Sequence, residues 1–379
     1  MAIDNKDKKI LNVPHLRFPE FNGEWETKLI NDLAVVIGGG TPDTTIKSYW
    51  DGEIQWFTPS EIGKNKYVDS SLRTITEEGL NNSSAKLLPP NTILLSSRAT
   101  IGECSLSLRE CATNQGFQSL VSKKCYVDFL YYLIQTKKRD LIRKSCGSTF
   151  LEISANEVRK IQVSVPTDVE QQKIAGLLSL IDERIATQNK NIEKLQSLIK
   201  GLRVCCMQRV YGNNVYLSEI AQIYQPQTIS STELTEDGFL VYGANGIIGK
   251  YKDYNHETEQ ICITCRGNTC GMVNYTKPMS WITGNAMVIN TDKYQDKVCK
   301  RYLYHYLSAY NFNSIISGSG QPQIVRTPLE KLKITLPTIS EQKQKAIIFD
   351  KIQDKIDINH KVLNLYIGQK QYLLRQMFI

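Results

Sequence analysis

The chain of 379 residues contains no run of eighteen apolar residues, so the sequence predicts no membrane-spanning helix. Its N-terminal segment MAIDNKDKKILNVPHLRF lacks the apolar centre of a signal peptide, which favours a cytoplasmic protein. In that setting, ten cysteines spread over this length are most simply free thiols. With 41% hydrophobic residues, a chain this long indicates a globular protein of two to four domains.

The sequence also lacks the motifs of several enzyme classes. GGGTPD at 38–43 and GSGQPQ at 318–323 miss the last glycine of a dinucleotide fingerprint, and GANGIIGKY at 243–251 has the wrong spacing for a phosphate loop. Neither a Gly-x-Ser-x-Gly elbow nor the Asp/Asn-Pro-Pro-Tyr/Phe motif of amino-methyltransferases is present. The Cys-x-x-Cys at Cys262 and Cys265 has no second ligand pair for zinc. We therefore expect no catalytic residues and no metal site.

Positive charge is in modest excess. A net charge of +8 is compatible with a polyanionic partner but does not establish one. The densest basic cluster comprises Lys137, Lys138, Arg139, Arg143 and Lys144. Either a solvated helix face or a phosphate-contacting surface would explain it.

What the sequence does contain is a duplication. VPTDVEQQKIAGLLSLID starts at residue 165 and LPTISEQKQKAIIFDKIQ at residue 336, so Pro-Thr-x-x-Glu-Gln recurs after 171 residues. Each copy predicts the start of a helix, because the threonine can cap the first amides and Glu170 or Glu341 occupies the capping-box position. The repeat predicts that the chain has two similar halves.

The same frame extends upstream. Asn114 matches Asn285 at the offset of 171, whereas Arg98 matches Arg266 at 168. Further upstream, Leu29 with Leu217 and Ala34 with Ala221 give offsets of 188 and 187. Alternating apolar patterns predict strands near 260–264 and 286–290, and helical patterns cover 127–143 and 298–310.

Two long helices carry the most regular pattern. Apolar residues recur in steps of three and four, which is typical of a coiled-coil seam with one stutter. A helix over about 168–210 would be roughly 60 Å long and needs a partner, and the second copy supplies one. The predicted interface consists of Leu177, Ile181, Ile185, Gln188, Ile192, Leu195, Ile199, Leu202, Ile348, Ile352, Ile356, Asn359, Leu363, Tyr366 and Leu373.

Pairing of these helices should be antiparallel around a pseudo-twofold, with Ile185 against Ile356. Gln188 and Asn359 fall at equivalent seam positions, where an amide can fix the pairing register, or they face solvent at a loose point of the coil. The result would be a rod that holds two similar domains apart.

The two domains carry side chains suited to a DNA groove. TPDTTIKSYWDGEIQWFTPSEIG at 41–63 mixes hydroxyl, basic, amide and aromatic groups, and SSRATIG at 96–102 and TCRGNTCG at 264–271 each present an arginine. Two alternatives stay open: Trp50, Trp56 and Phe57 could fill a core, and each arginine could form a structural salt bridge. The candidate DNA contacts are Thr41, Lys47, Gln55, Thr58, Lys64, Arg98, Thr100, Asn114, Gln115, Ser148, Thr149, Tyr242, Asn245, Arg266, Asn268, Asn285, Ser319, Gln321 and Gln323.

With the duplicated Pro-Thr-x-x-Glu-Gln helices, GGGTP, SSRATIG and TNQGF, the sequence resembles the DNA-specificity subunit of type I restriction-modification systems. The resemblance implies an α+β fold with two similar mixed α/β target-recognition domains separated by two long helices in an antiparallel coiled coil. It assigns 1–14 to a flexible tail, 15–165 and 212–336 to the recognition domains, and 166–211 and 337–379 to the spacer helices. At the front of the second domain, QIYQPQTISSTELTEDG replaces the first domain's loop, so the two should read different half-sites.

The resemblance also implies partners. The chain is expected to bind double-stranded DNA, to dock two methyltransferase subunits and, through the complex, to recruit restriction-translocase subunits. It should bind no cofactor itself, with S-adenosylmethionine, ATP and Mg²⁺ on the partner subunits. Two other classes of function stay open: an autonomous DNA-modifying enzyme and a coiled-coil scaffold for protein assembly.

Overall fold

The computed structural model describes residues 12–147, 151–208, 210–244, 246–318 and 320–379. The chain divides into two compact units. The first unit ends at Asn189 and also contains Val362–Ile379, and the second is Lys190–Lys361. Each unit therefore contains one part of each long helix.

The first unit is built from short strands and helices, which precede the long helix α6. In chain order, the strands and helices are β1 Glu26–Leu29, α1 Ile30–Leu33, β2 Ala34–Gly38, β3 Trp50–Phe57, β4 Tyr67–Val68, β5 Arg73–Ile75, α2 Glu77–Asn81, β6 Ile93–Leu95, β7 Cys104–Ser107, β8 Cys111–Thr113, β9 Gln118–Ser122, α3 Val127–Thr136, α4 Lys138–Arg143, α5 Ala155–Arg159, β10 Gln162–Val165 and the long helix α6 Asp168–Gln208.

The second unit repeats this order with fewer elements. They are β11 Asn213–Tyr216, β12 Gln222–Tyr224, β13 Phe239–Gly243, β14 Gly246–Tyr251, β15 Ile261–Thr264, β16 Val273–Tyr275, β17 Trp281–Ile282, β18 Ala286–Asn290, α7 Lys300–Ala309, α8 Arg326–Glu330, β19 Lys333–Leu336 and the long helix α9 Ile339–Gln376. The strands predicted near 260–264 and 286–290 are β15 and β18. The helix predicted over 127–143 is two helices that break at Lys137.

The sheets of the two units correspond. The first unit has a sheet in the order β2-β9-β6-β7-β4, and the second has β12-β18-β15-β16. Strand β3 pairs in parallel with β8, as β13 does with β17. The main core of the first unit lies between its larger sheet and α3, whose Phe129, Tyr132 and Leu133 are fully buried.

The strand before each long helix is also paired alike. Strand β10 pairs antiparallel with β1, and β19 pairs antiparallel with β11. The amide of Ile30 donates to the carbonyl of Ile161, and the amide of Leu217 donates to that of Leu332, both at 2.9 Å. Ile30, rather than Leu29, is therefore the counterpart of Leu217. The matching of Leu29 with Leu217 was wrong by one residue, because Leu29 is 41% exposed and Leu217 is buried.

The glutamine of the duplicated motif makes the same two hydrogen bonds in each unit, which explains why the motif occurs twice. In the first unit, the Gln171 side chain donates to the carbonyl of Pro166 at 3.0 Å and accepts from the amide of Tyr126 at 2.9 Å. In the second unit, Gln342 donates to the carbonyl of Pro337 at 2.9 Å and accepts from the amide of Cys299 at 2.8 Å. Each buried amide thus ties the start of a long helix to the start of the preceding core helix.

The glutamate of the motif has a different role in each copy. Glu341 accepts from the amide and the hydroxyl of Thr338 at 3.0 and 2.7 Å, as a capping box requires. Glu170 instead accepts from Arg17 at 2.8 Å and from the indole of Trp25 at 3.3 Å. The capping box predicted for Glu170 is therefore replaced by an ion pair with the N-terminal segment.

The two long helices pair antiparallel within each unit. In the first unit, Lys370 lies 2.7 Å from Asp182, and Arg184 lies over the ring of Tyr366. In the second unit, Lys345 near the start of α9 donates to the carbonyl of Cys206 near the end of α6 at 3.5 Å. The predicted fold class is thus confirmed: two similar mixed domains, with two long helices that form an antiparallel coiled coil.

The predicted seam is wrong at one position. Ile348 is 56% exposed, and the next residue, Phe349, is buried in its place. The other predicted interface residues are buried or half-buried. Gln188 and Asn359 are half-buried, which argues against the solvent-facing alternative.

The direct pairing predicted for Ile185 and Ile356 is wrong. The contact of Lys370 with Asp182 places residues near 367 opposite Ile185. Ile185 packs on the core of the first unit, and Ile356 is buried in the core of the second. In an antiparallel pair, residues related by a repeat offset face each other only at the centre of the coil, and Ile185 is not there.

Candidate nucleic-acid interface

Loops that follow several strands of the first unit meet at one surface. The hydroxyl of Thr41, after β2, donates to the side chain of Gln115, between β8 and β9. The amide of Asn114 donates to the carbonyl of Phe57 at 3.0 Å, which places Asn114 beside Thr58. The amide of Ser97 donates to the carbonyl of Gly116 at 2.8 Å. The structure thus brings together five of the predicted residues: Thr41, Thr58, Arg98, Asn114 and Gln115.

Tryptophans support this surface from below. Trp50 and Trp56 are buried and pack edge to face, with ring centres 5.1 Å apart. The indole of Trp56 donates to the carbonyl of Gly40 at 2.9 Å, and that of Trp50 donates to the carbonyl of Asp43 at 3.1 Å. Phe57 is buried as well. These aromatic residues are core residues, and the two indoles hold the loop that carries Thr41.

Arg98 stands on a tight turn in this surface. The next residue, Ala99, has φ of 54°, a conformation that costs an alanine about 1 kcal/mol. The amide of Ile153 donates to the carbonyl of Ser97 at 3.1 Å, so the segment around Glu152 lies against the turn. Arg98 Nη2 is 2.8 Å from Glu152 Oε2. For Arg98, the salt-bridge alternative is therefore the one that the structure contains.

The second unit has an equivalent turn that is one residue longer. The amide of Ile324 donates to the carbonyl of Cys265 at 3.0 Å, and Arg266 pairs with Gln323 as an isolated bridge. Gly267, after the arginine, has φ of 86°. Arg266 is exposed and has no ion-pair partner within the described part of the chain. We call 98–102 and 266–271 the arginine turns.

Other predicted residues of the second unit lie around its arginine turn. The carbonyl of Asn285 accepts from the amide of Cys265 at 3.1 Å, and the amide of Gly267 donates to the carbonyl of Pro322 at 3.0 Å. Asn268, Asn285 and Gln321 are exposed, and Gln323 is half-buried. The side chain of Gln225, which sequence reasoning missed, donates to the carbonyl of Gly284 at 3.2 Å. No local pattern marks Gln225, because its partner lies 59 residues away.

Some predicted residues do not fit the interface. Tyr242 is 6% exposed and its hydroxyl accepts from the amide of Lys277 at 3.1 Å, so it is a core residue and its prediction as a DNA contact is wrong. The Gln55 side chain accepts from the amide of Ser71 at 2.7 Å and so supports a neighbouring loop. Lys47, Lys64 and Thr100 are exposed, and their role as DNA contacts stays a prediction. Four predicted residues lie outside the described residues: Ser148, Thr149, Asn245 and Ser319.

The basic cluster at 137–144 is largely paired. Lys138 forms an ion pair with Glu103, and Lys144 lies 3.6 Å from Glu157. Lys137 donates to the carbonyl of Ile379 at 2.7 Å, and burial lowers the pKa of this lysine. These partners favour a solvated helix face over a phosphate-binding surface.

Four of the ten cysteines are small core residues: Cys104, Cys111, Cys262 and Cys265. Burial raises the pKa of the Cys104 and Cys111 thiols to about 12, so both are protonated at neutral pH. Cys262 and Cys265 are buried in strand and turn of the second unit. Among the described residues, no group of three or more side chains has the arrangement of a metal site. The same residues include no helix that is long and apolar enough to cross a membrane.

Two similar domains with polar loop surfaces, together with paired long helices, are the features of a bipartite recognition protein. The family model of the type I restriction modification DNA specificity domain matches residues 22–197 and 213–365. These two matches cover most of the chain, which therefore belongs to this family.

Individual relatives agree with the family match. The specificity subunit of the type I restriction enzyme EcoprrI from Escherichia coli is 28% identical over 340 residues, covering 83% of this chain and 84% of that protein. The MjaIX specificity subunit of Methanocaldococcus jannaschii is 39% identical over 180 residues, but the match spans only 42% of that protein and 46% of this chain. The S subunit structure from M. genitalium shares the fold, with a TM-score of 0.64 at 18% identity over 97% of this chain and 99% of that one.

Proposed function

We propose that this chain is the DNA-specificity subunit of a type I restriction-modification complex, and that each unit reads one half of an asymmetric bipartite DNA target. The observation that carries this is the repeated arginine turn within a family of specificity domains. Each turn stands among polar loop residues that can contact base edges in the major groove. The two loop surfaces differ in sequence, so the two half-sites should differ as well.

The long helices would set the distance between the half-sites. Helix α6 has 41 residues and α9 has 38, which correspond to lengths of about 62 and 57 Å. Base pairs between the half-sites would then be spanned without being read. Under this proposal, the loops determine which bases are selected and the helices determine their spacing.

The outer faces of the helices support docking of protein partners. In the first unit Val169, Leu180 and Leu365 are 68%, 58% and 72% exposed, and in the second Ile347 and Ile358 are 54% and 57% exposed. We propose that these exposed apolar side chains contribute to the surfaces that dock protein partners. The partners we propose are two methyltransferase subunits, which would bring the restriction-translocase subunits to the complex.

The chain itself would be non-catalytic. Methyl transfer and cleavage would take place on the partner subunits, which would hold S-adenosylmethionine, ATP and Mg²⁺. The test is to incubate the purified chain with DNA, S-adenosylmethionine and Mg²⁺, with and without a cognate methyltransferase subunit. Methylation should require the methyltransferase subunit, and methylation or cleavage by the chain alone would favour an autonomous enzyme.

DNA reading is tested by selection from random duplexes with the assembled complex. We expect two short half-sites at a fixed separation. Failure to enrich any DNA sequence while the complex still assembles would favour a protein scaffold. Enrichment of one uninterrupted site would contradict reading by two separate domains.

A further inference from the structure

The arginine turns of the two units pair with their neighbouring segments in the same way but carry different charges. Position 152 in the first unit corresponds to 323 in the second, since the segment containing each pairs with its turn in the same way. The first residue is Glu152 and the second is Gln323. The pair Arg98 and Glu152 therefore carries no net charge, whereas Arg266 and Gln323 together carry one positive charge.

One donor edge of Arg98, formed by Nε and Nη2, is also unavailable. Its Nη2 lies 2.8 Å from Glu152, and its Nε is buried with no hydrogen-bond partner among the described residues. Bidentate reading of guanine O6 and N7 needs two free donors on one edge of the guanidinium. While the pair is intact, the edge formed by Nε and Nη2 is not available to guanine, because Nε is enclosed and Glu152 occupies Nη2.

Glu152 remains accessible. Its side chain is 36% exposed and that of Arg98 is 43% exposed, so both reach the surface of the turn. The carboxylate can accept from the amino group of cytosine or adenine, and it repels phosphate and the guanine acceptor edge. Arg266, in contrast, is exposed and free of any carboxylate in the described residues.

We propose that Glu152 is a specificity-determining residue of the first domain, which withholds Arg98 from guanine and phosphate and accepts from a base amino group, whereas Gln323 leaves Arg266 free to read guanine. This inference rests on the proposed function, because it concerns which bases the two surfaces select. It makes one residue of each turn responsible for the difference in charge between two otherwise equivalent sites.

The experiment exchanges the two residues in the assembled complex with its methyltransferase subunits. Glu152→Gln should raise affinity for non-selected DNA, steepen the salt dependence of binding by about one counterion and admit guanine at one position of the first half-site. Gln323→Glu should do the opposite, with guanine preference in the second half-site reduced about tenfold or more. Glu26→Gln is the matched control, since Glu26 is an exposed carboxylate paired with Lys28 on β1.

The possible outcomes distinguish a failure of the proposed function from a failure of the proposed role of Glu152 and Gln323. If the wild-type complex selects no bipartite sequence, the proposed function fails. If it does select one, but both exchanges leave half-sites and salt dependence as in the wild type, only the role of Glu152 and Gln323 is overturned. Weaker binding by Glu152→Gln would also overturn it, because it would mean that the carboxylate orients Arg98 for DNA rather than withholding it.

Discussion

Lys370 on α9 lies 2.7 Å from the carboxylate of Asp182 on α6, with the two side chains only 18% and 15% exposed. The same carboxylate accepts from the hydroxyl of Tyr132 on α3 at 2.7 Å. Asp182 therefore joins both long helices to the core of the first unit. Lys370 occupies a seam position, where an apolar residue would be expected, so its charge depends on Asp182 for compensation.

Asp182→Asn should lower the stability of the first unit by about 2 kcal/mol, because it leaves Lys370 half-buried without its counter-charge. Urea unfolding followed by helix signal would measure the loss. Asp354→Asn on the exposed face of α9 is the control and should change stability little. Equal effects of the two substitutions would show that the pair at Asp182 contributes nothing specific.

The motif glutamines should contribute more to the stability of the fold than neighbouring residues on the same helix. Gln342→Ala should destabilise the second unit by about 1 to 3 kcal/mol, since it leaves the amide of Cys299 and the carbonyl of Pro337 without their partner. Gln344→Ala, two residues along and exposed, should be nearly neutral. Thermal unfolding of both variants checks this. A neutral Gln342→Ala would mean that the motif is retained for another reason.

His305 should make stability depend on pH near neutrality. Its ring is fully buried: Nδ1 lies 2.9 Å from Arg203 Nη2, and Nε2 lies 2.9 Å from Asp350. Arginine can only donate, so Nδ1 accepts and the proton of the neutral ring is on Nε2. Burial lowers the pKa of His305 below its ordinary value of 6.5, and Arg203 and Arg301 act in the same direction against Asp350.

Proton binding determines the direction in which the free energy of unfolding changes with pH. As the pH falls through 6.5, the unfolded chain binds a proton at this histidine that the folded protein does not bind. The stability is therefore fully present only well above pH 6.5 and decreases as the pH drops below it. For this histidine, the free energy of unfolding should change with pH by up to about 1.4 kcal/mol per pH unit. His256, whose pKa burial also lowers, should add to it.

Denaturation midpoints between pH 5.5 and 8 test this expectation. His305→Gln, which can still accept from Arg203 and donate to Asp350, should flatten the profile by up to one proton. His360→Gln, on the exposed face of α9, serves as the control. An unchanged profile in His305→Gln would show that this ring does not control the response.

The turn after each arginine should tolerate glycine better than alanine. Gly267→Ala should cost about 1 to 2 kcal/mol from backbone conformation alone, because φ is 86° and no atom lies within 4 Å of an added Cβ. Ala99→Gly should relieve the corresponding strain. Gly201→Ala, in the interior of α6 and equally free of steric contact, should instead stabilise the helix by up to about 1 kcal/mol. Thermal unfolding midpoints give the sign for each variant, and a neutral Gly267→Ala would remove the argument for a strained turn.

The repetitive parts of this molecule could be predicted from its sequence. The seam on α6, the strand β18 and the start of α9 all show local periodicity or a repeated motif, and local patterns determine helix and strand directly. The prediction of Ile348 as an interface residue is wrong because the repeat offset does not distinguish it from its buried neighbour, Phe349. The prediction of Tyr242 as a DNA contact is wrong because its side chain, on strand β13, lies in the core.

The surface chemistry depends on contacts between distant residues. The bond of Trp56 to Gly40 and the role of Gln225 follow from how strands and loops meet, and no spacing in the sequence reports them. The pairing of Arg98 with Glu152 is of this kind too. Sequence analysis could state both alternatives for the two arginines, but only the structure separates Arg98 from Arg266.

We propose that the paired helices set the spacing between two separate DNA-reading domains. A selection of binding sites with variants that have shortened helices tests this directly. Lys345 meets Cys206, so residues 190–196 of α6 lie opposite 355–361 of α9, and both segments can be removed together. Seven residues correspond to about 10 Å, or about three base pairs. We expect a gap shortened by that amount with the same bases in each half-site, and a matched seven-residue insertion should lengthen it. An unchanged gap, or altered bases at an unchanged gap, would show that the helices do not set the spacing.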